Sequence, residues 1–215
     1  MTAPRFVRFD ADPVTTARRL LGQRLVHVVG GERLAGEIVE VEAYLGPVDR
    51  AAHTFGGRRS ARNQSMWRGG GVAYVYFTYG MHHCMNVVCG PTDSGTAVLL
   101  RALAPTEGLD AMRARRPAAR RSTDLCSGPG RLAQALAIDR AKDGVDLRSD
   151  AALFIEEIRT RPLPSARIAA TPRIGVDYAG AWARRRLRFL VRDDPNVSGP
   201  RSWAGRPQSA SASLR

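Results

Sequence analysis

The stretch RLVHVVGGERLAGEIVEVEAYL, residues 24–45, decides the fold. It contains two apolar-rich runs with the alternating residue pattern of β-strands, separated by Gly30 and Gly31. Two glycines between such runs are typical of a tight hairpin turn, because both central residues of that turn need a positive φ angle. The stretch therefore predicts a β-hairpin with antiparallel strands over residues 24–29 and 32–45.

The segments on either side of the hairpin continue a mixed pattern. Upstream, Asp12 and Pro13 predict the cap and first turn of a short helix that ends at Gly22. Downstream, the strand-like segments are 71–89 (with a break at Gly80), 97–105, 153–157, 166–176 and 187–192, and the helix-like segments are 106–116 and 127–139. We therefore expect an α+β fold, in which short helices flank a central curved antiparallel sheet.

The length of 215 residues fits a single domain, which we place at residues 1–196. Residues 197–215 are rich in Ser, Gly, Pro and Arg, and we expect this tail to be disordered. An apolar run long enough for a membrane helix is missing, and the N-terminus lacks the pattern of a secretion signal. We expect a cytoplasmic protein with no membrane partner.

The charge balance points to a polyanionic partner. The chain has 33 basic and 20 acidic residues, a formal net charge of +13. A GC-rich genome would explain the preference for Arg over Lys, but it would not explain the excess of bases over acids. Such an excess favours nucleic acid, which basic surfaces bind by releasing counterions.

The cysteines and histidines do not predict a metal site or a cofactor. Cys84, Cys89 and Cys126 form no CxxC pair, and we expect them to be small buried apolar side chains. His82 and His83 are neighbours, so they point apart in a strand, and no third ligand has a suitable spacing. We predict no metal and no cofactor.

Two features of the strands carry possible chemistry. In the strand near 38–45, Glu40, Glu42 and Tyr44 share the face opposite to the apolar residues Val39, Val41, Ala43 and Leu45, and the sequence alone favours a solvated polar face there. Arg101, however, interrupts the apolar run 97–105, and a guanidinium in such a place needs an anionic partner. Glu42 could be that partner, and the pairing would favour the ionised carboxylate that a general base requires.

Several long motifs in the same order resemble the alkyladenine (3-methyladenine) DNA glycosylase family with the antiparallel fold of the mammalian enzyme. The motifs are EIVEVEAYLGPVDRAAHTFGGRRSARNQSMW (37–67), AYVYFTYGMHHCMNV (73–87), AVLLRALAP (97–105), LCSGPGRLAQALAI (125–138), PRIGVDYAG (172–180) and AWARRRLRFLVR (181–192). The resemblance covers about residues 10–198. It implies a glycosylase that flips a damaged purine out of duplex DNA and starts base excision repair.

The resemblance also implies roles for residues around the reacting bond. Glu42 matches the base that activates the attacking water, and Arg101 and the backbone carbonyl of Ile174 match the groups that hold this water. The residues that match the base-binding pocket and the duplex wedge are Tyr44 and Tyr76 (the walls that sandwich the base), His53 (against its face and edge), Asn86 (against the amine of guanine) and Tyr79 (inserted into the duplex).

The single lysine of the chain, Lys142, lies outside every matched motif. A lyase reaction would need an amine nucleophile, so we predict a monofunctional enzyme that uses water. We expect a monomer that acts on alkylated purines, with etheno and deaminated purines as further substrates left open. His82-His83 and Arg186 depart from the family pattern, which leaves the lesion preference unassigned.

The remaining arginines divide between phosphate contacts and solvated surface. We predict phosphate contacts for five of them: Arg58, Arg59, Arg62, Arg68 and Arg131. Two other functions use the same residues. A non-catalytic DNA-binding module would keep the charge and the aromatic residues, and a glycoside hydrolase would use Glu40 and Glu42 as a pair, about 7 Å apart along the strand.

Overall fold

Within residues 8–78 and 80–199, which the computed structural model describes, eight strands form one antiparallel sheet. The strands are β1 (Arg24–Val29), β2 (Glu32–Tyr44), β3 (Ala73–Thr78), β4 (His82–Cys89), β5 (Thr96–Glu107), β6 (Leu153–Glu156), β7 (Ile168–Thr171) and β8 (Arg188–Val191). The order is β3-β4-β5-β2-β1-β6, and β8 pairs with both β2 and β7. The predicted α+β fold around an antiparallel sheet is confirmed.

In the described part of the chain, three short α-helices pack around the sheet: α1 (Pro13–Leu20), α2 (Leu109–Arg115) and α3 (Pro129–Ala135). Asp12 caps α1, since its carboxylate accepts hydrogen bonds from the backbone N–H groups of Val14 and Thr15 at 2.9 and 3.0 Å. The predicted helix at 106–116 begins only at Leu109, because Glu107 still pairs with Ala35 of β2. None of the helices in the described part of the chain is long and apolar enough to cross a membrane.

Strand β2 is the centre of the fold. The predicted hairpin with β1 is confirmed, and Gly30 and Gly31 adopt φ angles of 59° and 85° in its turn. β2 pairs with β5 along nearly its whole length. Its other edge pairs with β1 up to Glu37 and with β8 from Glu40 to Glu42. Because two strands share one edge of β2, the sheet splits there, and side chains after Glu37 lie between two sheet branches.

The register between β2 and β5 shifts on both sides of Glu40. Ile38 pairs with Leu103 and Glu40 pairs with Ala102, so Val39 has no partner in β5; the next shift leaves Arg101 without a partner in β2. Such bulges break the strict alternation of side chains and re-aim them locally. Arg101 lies on the same face of the sheet as the two glutamates, since its guanidinium contacts both of them.

The burial of β2 confirms one prediction and overturns another. Val39, Val41 and Ala43 are in the hydrophobic core, as expected. The expected solvated face is wrong: Glu40 and Glu42 have no exposed surface. The split of the sheet is the reason, since β8 and the segment that follows it cover this face. Val197, Ser198 and Gly199, which the sequence assigns to a disordered tail, belong to that cover; residues 200–215 lie outside the described residues.

Candidate active site

One pocket collects most of the predicted site residues. Its walls come from the end of β2, the loop after it, strands β3 to β5 and the segment after β7, and its open space is about 790 Å³. We call it the aromatic pocket; the predicted residues that line it are Tyr44, His53, Tyr76, Asn86, Arg101 and Ile174.

Three rings form the central wall of the aromatic pocket. Tyr74 stacks on Tyr76 with centroids 5.3 Å apart, and His53 meets Tyr76 edge-on at 4.6 Å. His53 Nδ1 is 2.8 Å from the hydroxyl oxygen of Tyr74. Burial, aided by the charge of Arg62, lowers the pKa of His53 to about 4, so the imidazole is neutral at neutral pH. Tyr74 therefore also orients a ring of the pocket.

Glu42 lies directly behind the wall of the aromatic pocket. Its Oε1 accepts a hydrogen bond from the backbone N–H of Ile174 at 2.8 Å and lies 3.3 Å from Nη1 of Arg101. Its Oε2 accepts a hydrogen bond from the hydroxyl of Tyr44 at 2.9 Å. The expected pairing of Arg101 with Glu42 is present. Ile174 contacts the carboxylate through its amide, whereas the resemblance implies a role for its carbonyl.

Arg101 has a second carboxylate partner that the sequence did not reveal. Its Nε donates to Oε1 of Glu40 at 3.0 Å, a shorter contact than the one to Glu42. Burial works against its charge, but the nearby Glu42 and Glu40 outweigh burial and raise the pKa of the Arg101 guanidinium. A signal for this arrangement was present in the apolar run LRFLVR (187–192), where a buried Arg188 also requires an anion.

Tyr44 is held from one side by a buried ion pair. Arg173 donates to both carboxylate oxygens of Asp49, at 2.5 and 2.9 Å, and to the carbonyl oxygen of Ala43 at 3.0 Å. Its guanidinium carbon lies 4.6 Å from the centre of the Tyr44 ring. Burial, with a contribution from Glu42, raises the pKa of the Tyr44 phenol, which therefore stays protonated. Sequence reasoning missed Arg173 and Asp49, which are 124 positions apart.

The far side of the aromatic pocket is formed by β4. The side-chain amide of Asn86 is buried, and its Nδ2 donates to the carbonyl oxygen of Tyr74 at 3.1 Å. Cys84 also lines the pocket, and burial raises the pKa of its thiol. All three cysteines are buried with free thiols, as predicted. Among the described residues, no three or more His, Cys, Asp or Glu side chains are grouped to hold a metal ion.

The turn between β3 and β4 carries the predicted wedge. Tyr79 itself lies outside the described residues. On either side of it, Phe77 and Met81 expose 48% and 69% of their surface. Apolar side chains are thus presented to solvent at the turn, next to the aromatic pocket that Thr78 also lines.

A second pocket, which we call the basic pocket, adjoins the aromatic pocket. The two share His53, Tyr74 and Tyr178. The basic pocket has about 820 Å³ of open space and is lined by Arg50, Arg58 and Arg62, and none of its described lining residues is acidic. Two of these arginines are among the predicted phosphate contacts, and Arg50 is an addition that the sequence did not single out.

Arg62 donates to the carbonyl oxygen of Phe77 at 3.1 Å and lies over the Tyr76 ring, and the other three predicted phosphate contacts have local partners as well. Arg59 pairs with Asp93 at 2.7 Å and lies over the Trp67 ring, Arg68 donates to the carbonyl oxygen of Gly144 at 2.8 Å, and Arg131 donates to the hydroxyl of Ser127 at 3.2 Å. All three are exposed, so these bonds leave part of each guanidinium accessible to solvent.

Comparison with known proteins places this arrangement among glycosylases. The profile of the methylpurine-DNA glycosylase family matches residues 7–195. The chain is 48% identical over 199 residues to the DNA-3-methyladenine glycosylase of Homo sapiens, covering 88% of this chain and 66% of that protein, and 47% identical to the one of Mus musculus, covering 59% of it. It is 43% identical over 197 residues to a Bacillus cereus (strain AH187) protein provisionally named 3-methyladenine DNA glycosylase, covering 96% of that protein. The chain thus spans about two thirds or less of the mammalian relatives and nearly all of the bacterial one.

Proposed function

The chain belongs to the methylpurine-DNA glycosylase family, and we propose that it hydrolyses the N-glycosidic bond of damaged purines flipped out of duplex DNA. One observation carries the proposal. A buried carboxylate, Glu42, is held by Arg101 and the amide of Ile174 directly behind a pocket with aromatic walls. A carboxylate supplies the base for a water nucleophile, and aromatic walls bind a planar base.

The aromatic pocket suits an extruded purine. An enzyme cannot reach the glycosidic bond inside the stack, so the nucleotide has to leave the duplex at a cost of roughly a few kcal/mol. Stacking on aromatic side chains returns about 1–3 kcal/mol per base. Tyr44 and Tyr76 supply such rings, and an alkylated purine that carries positive charge is attracted to them as a cation is. Alkylated purines are therefore the first substrates we propose, and etheno and deaminated purines the second.

The reaction begins with a change at Tyr44. Its hydroxyl covers Oε2 of Glu42, in the position where a water molecule could be bound. When a base stacks on the ring, the hydroxyl moves away and a water takes its place. Glu42 accepts a proton from this water, the water oxygen bonds to the sugar carbon, and the electron pair of the C–N bond leaves with the purine. Arg101 holds the carboxylate in place throughout.

Water is the nucleophile we propose, which makes the enzyme monofunctional. The single lysine of the sequence, Lys142, ends the short turn Arg140–Lys142 and is separate from the residues that line the aromatic pocket. The product is an abasic site in an intact strand, because no side-chain amine is available there to form a Schiff base.

The basic pocket supports the DNA part of the proposal. Its three arginines lie beside the aromatic pocket, where the backbone of a flipped nucleotide has to enter, and a phosphate bound there positions the base without reading its sequence. Glu40, by contrast, accepts four hydrogen bonds and has no exposed surface, so it does not act as the second carboxylate of a glycoside hydrolase.

The test measures release of free methylpurines from methylated duplex DNA by the wild type, by Glu42→Gln and by Glu107→Gln, a matched change of a half-exposed carboxylate away from the pocket. We expect release by the wild type and Glu107→Gln, without strand cleavage, and a loss of at least about 100-fold for Glu42→Gln. If the wild type binds DNA tightly and releases no base from any damaged duplex, the chain is a binding module and the proposal is wrong.

A further inference from the structure

Glu40 is the most densely bonded side chain of the buried face of β2. Its Oε1 accepts hydrogen bonds from Nε of Arg101 at 3.0 Å, Nε of Arg188 at 2.6 Å and the hydroxyl of Ser198 at 2.9 Å, and its Oε2 accepts one from the backbone N–H of Ser198 at 2.6 Å. Arg101, Arg188, Glu40 and Glu42 together form what we call the inner network. It contains two positive and two negative charges.

The geometry of Arg101 links Glu40 to the proposed base. A guanidinium is planar, and its donors point in fixed directions. Glu40 holds Nε, the hydroxyl oxygen of Ser198 accepts from Nη2 at 3.3 Å, and Nη1 is then directed at Oε1 of Glu42, 3.3 Å away. The bonds of Nε and Nη2 therefore fix the direction in which Nη1 points. Arg101 is two residues after Leu99, which pairs directly with Glu42, so alternation along β5 puts its side chain on the face of that carboxylate, and the bulge leaves Arg101 without a partner in β2.

The charges of the inner network explain why a carboxylate is needed at position 40. Arg188 donates to the carbonyl oxygen of Ser198 at 2.7 Å as well as to Glu40, so it stays in the network whatever happens at Arg101. Without Glu40, two buried guanidinium groups would share one carboxylate, Glu42. Arg101 would then move toward Glu42, and the added positive charge would make that carboxylate a weaker base.

We propose that Glu40 is a positioning residue for the reaction, and that Ser198 completes its action by fixing both Glu40 and Arg101. The inference rests on the proposed function, since it concerns the base of that reaction. Glu40 contacts neither pocket, so it acts only through Arg101. The segment that contains Ser198 is thereby part of the active site, although it follows the last strand of the sheet.

The first test is the pH profile of single-turnover base release by Glu40→Gln, with Glu107→Gln as the matched control. The groups that face Glu42 are Arg101, the Tyr44 hydroxyl and the Ile174 amide, with Tyr76, Cys84 and Arg173 further away. For Glu40→Gln we expect a rate lower by between about 10-fold and about 100-fold. We also expect the acid limb of its profile at lower pH, because the added positive charge favours the ionised form of the base. Glu107→Gln keeps the wild-type rate and profile.

A double variant that also removes the charge of Arg188 separates a positioning role of Glu40 from a role in folding alone. In the double variant Glu40→Gln/Arg188→Gln, one negative and one positive charge are removed together, so the acid limb returns toward the wild-type pH while the rate stays low. If Glu40→Gln has the wild-type rate, or a lower rate with an unshifted acid limb, the proposal is wrong.

A milder variant covers the case in which Glu40→Gln does not fold. Ser198→Gly keeps the backbone N–H that binds Glu40 and removes the hydroxyl that holds Arg101. We expect a rate loss of a few-fold, up to about 10-fold, and an unchanged rate would overturn the role of Ser198. A crystal structure of Ser198→Gly gives a readout that does not need activity: the distance between Arg101 Nη1 and Glu42 Oε1 lengthens if the inference is right. If the wild type releases no base, only the proposed function fails, and this distance still decides the inference.

Discussion

The two ends of β2 carry two networks with the same charges in different surroundings. The inner network, Glu40, Glu42, Arg101 and Arg188, has side chains that are at most 8% exposed. What we call the outer network consists of Arg24, Arg33, Glu107 and Glu156, with side chains 26–38% exposed. Its N–O distances, 2.8–3.5 Å, are close to those of the inner network, 2.6–3.3 Å. The N–O distances of the ion pairs therefore do not distinguish the two ends, and burial does.

The difference in burial determines what each network contributes to the protein. Water screens the outer network and can replace any of its members, so it adds little stability and fixes no geometry. The inner network cannot lose one member without leaving an unbalanced charge in the interior. This makes it costly to alter and, for the same reason, able to hold Glu42 in one place. Four predictions test the comparison.

The largest difference should follow removal of one arginine from each network. Arg101→Met leaves two buried carboxylates with Arg188 alone, and we expect the free energy of unfolding to fall by about 3–5 kcal/mol. Arg33→Met, at the half-exposed end, should lower it by less than about 1 kcal/mol. Urea denaturation of both variants and the wild type measures this. Similar losses for the two variants would mean that burial does not separate the networks.

The neutral histidine of the aromatic pocket should make stability depend on pH. The pKa of His53 falls from 6.5 to about 4 on folding. Its contribution is thus complete above pH 6.5 and is lost as the pH falls toward 4, by up to about 3 kcal/mol. His53→Gln should lose less stability than the wild type between pH 7 and pH 4.5 in urea denaturation. Parallel pH curves for the two proteins would contradict the shifted pKa.

Two variants of Tyr44 test which part of this side chain the reaction needs, the hydroxyl that binds Glu42 or the ring that stacks on the base. Tyr44→Phe removes the hydrogen bond to Glu42 and keeps the stacking surface, so base release should stay within about threefold of the wild type, because in the proposed reaction the hydroxyl has left Glu42 before the water attacks. Tyr44→Ala removes the ring and should weaken binding of the flipped base by about 1–3 kcal/mol. Single-turnover rates over a range of enzyme concentrations separate the two effects. Equal losses in both variants would show that the hydroxyl itself takes part in the reaction.

The smallest effect belongs to the outer network. Glu107→Gln removes one of the two carboxylates that pair with Arg24 and Arg33, and we expect a loss below about 1 kcal/mol in the free energy of unfolding at low salt. At 1 M salt the Debye length is about 3 Å, so the difference from the wild type should disappear. Thermal denaturation at two salt concentrations measures it. A loss of stability that persists at high salt would show that the outer network is shielded from solvent as the inner network is.

Local patterns gave most of the fold. Asp12 before Pro13 predicts the first helix because a cap and its hydrogen bonds involve neighbouring residues. Gly30 and Gly31 predict the hairpin for a similar reason, since positive φ angles are a local demand. The boundary between β5 and α2 was harder to predict. It depends on the pairing of Glu107 with β2, and the local sequence around Glu107 does not reveal that pairing.

The candidate site was predictable only in part. Arg101 could be recognised because it interrupts an apolar strand, and its pairing with Glu42 followed from the need for an anion. Glu40 was misjudged as solvent-facing, because alternation within one strand gives the face of a residue but not what covers that face. The cover comes from Arg188 and Ser198, 148 and 158 positions away, and two bulges set the register. The resemblance supplied roles for residues, but not the contacts of Glu40 that position Arg101.

The contact between Glu40 and Ser198 also has a consequence for synthesis of the protein. The two residues are 158 positions apart, so Glu40 leaves the ribosome long before its partner exists. Until Ser198 emerges, Glu40 lacks two of its four hydrogen bonds, and the carboxylate has to stay hydrated. Contacts between such distant positions form slowly, because a long loop has to close first. The nascent chain therefore cannot assemble its complete catalytic arrangement one segment at a time, and the active site is finished among the last events of folding.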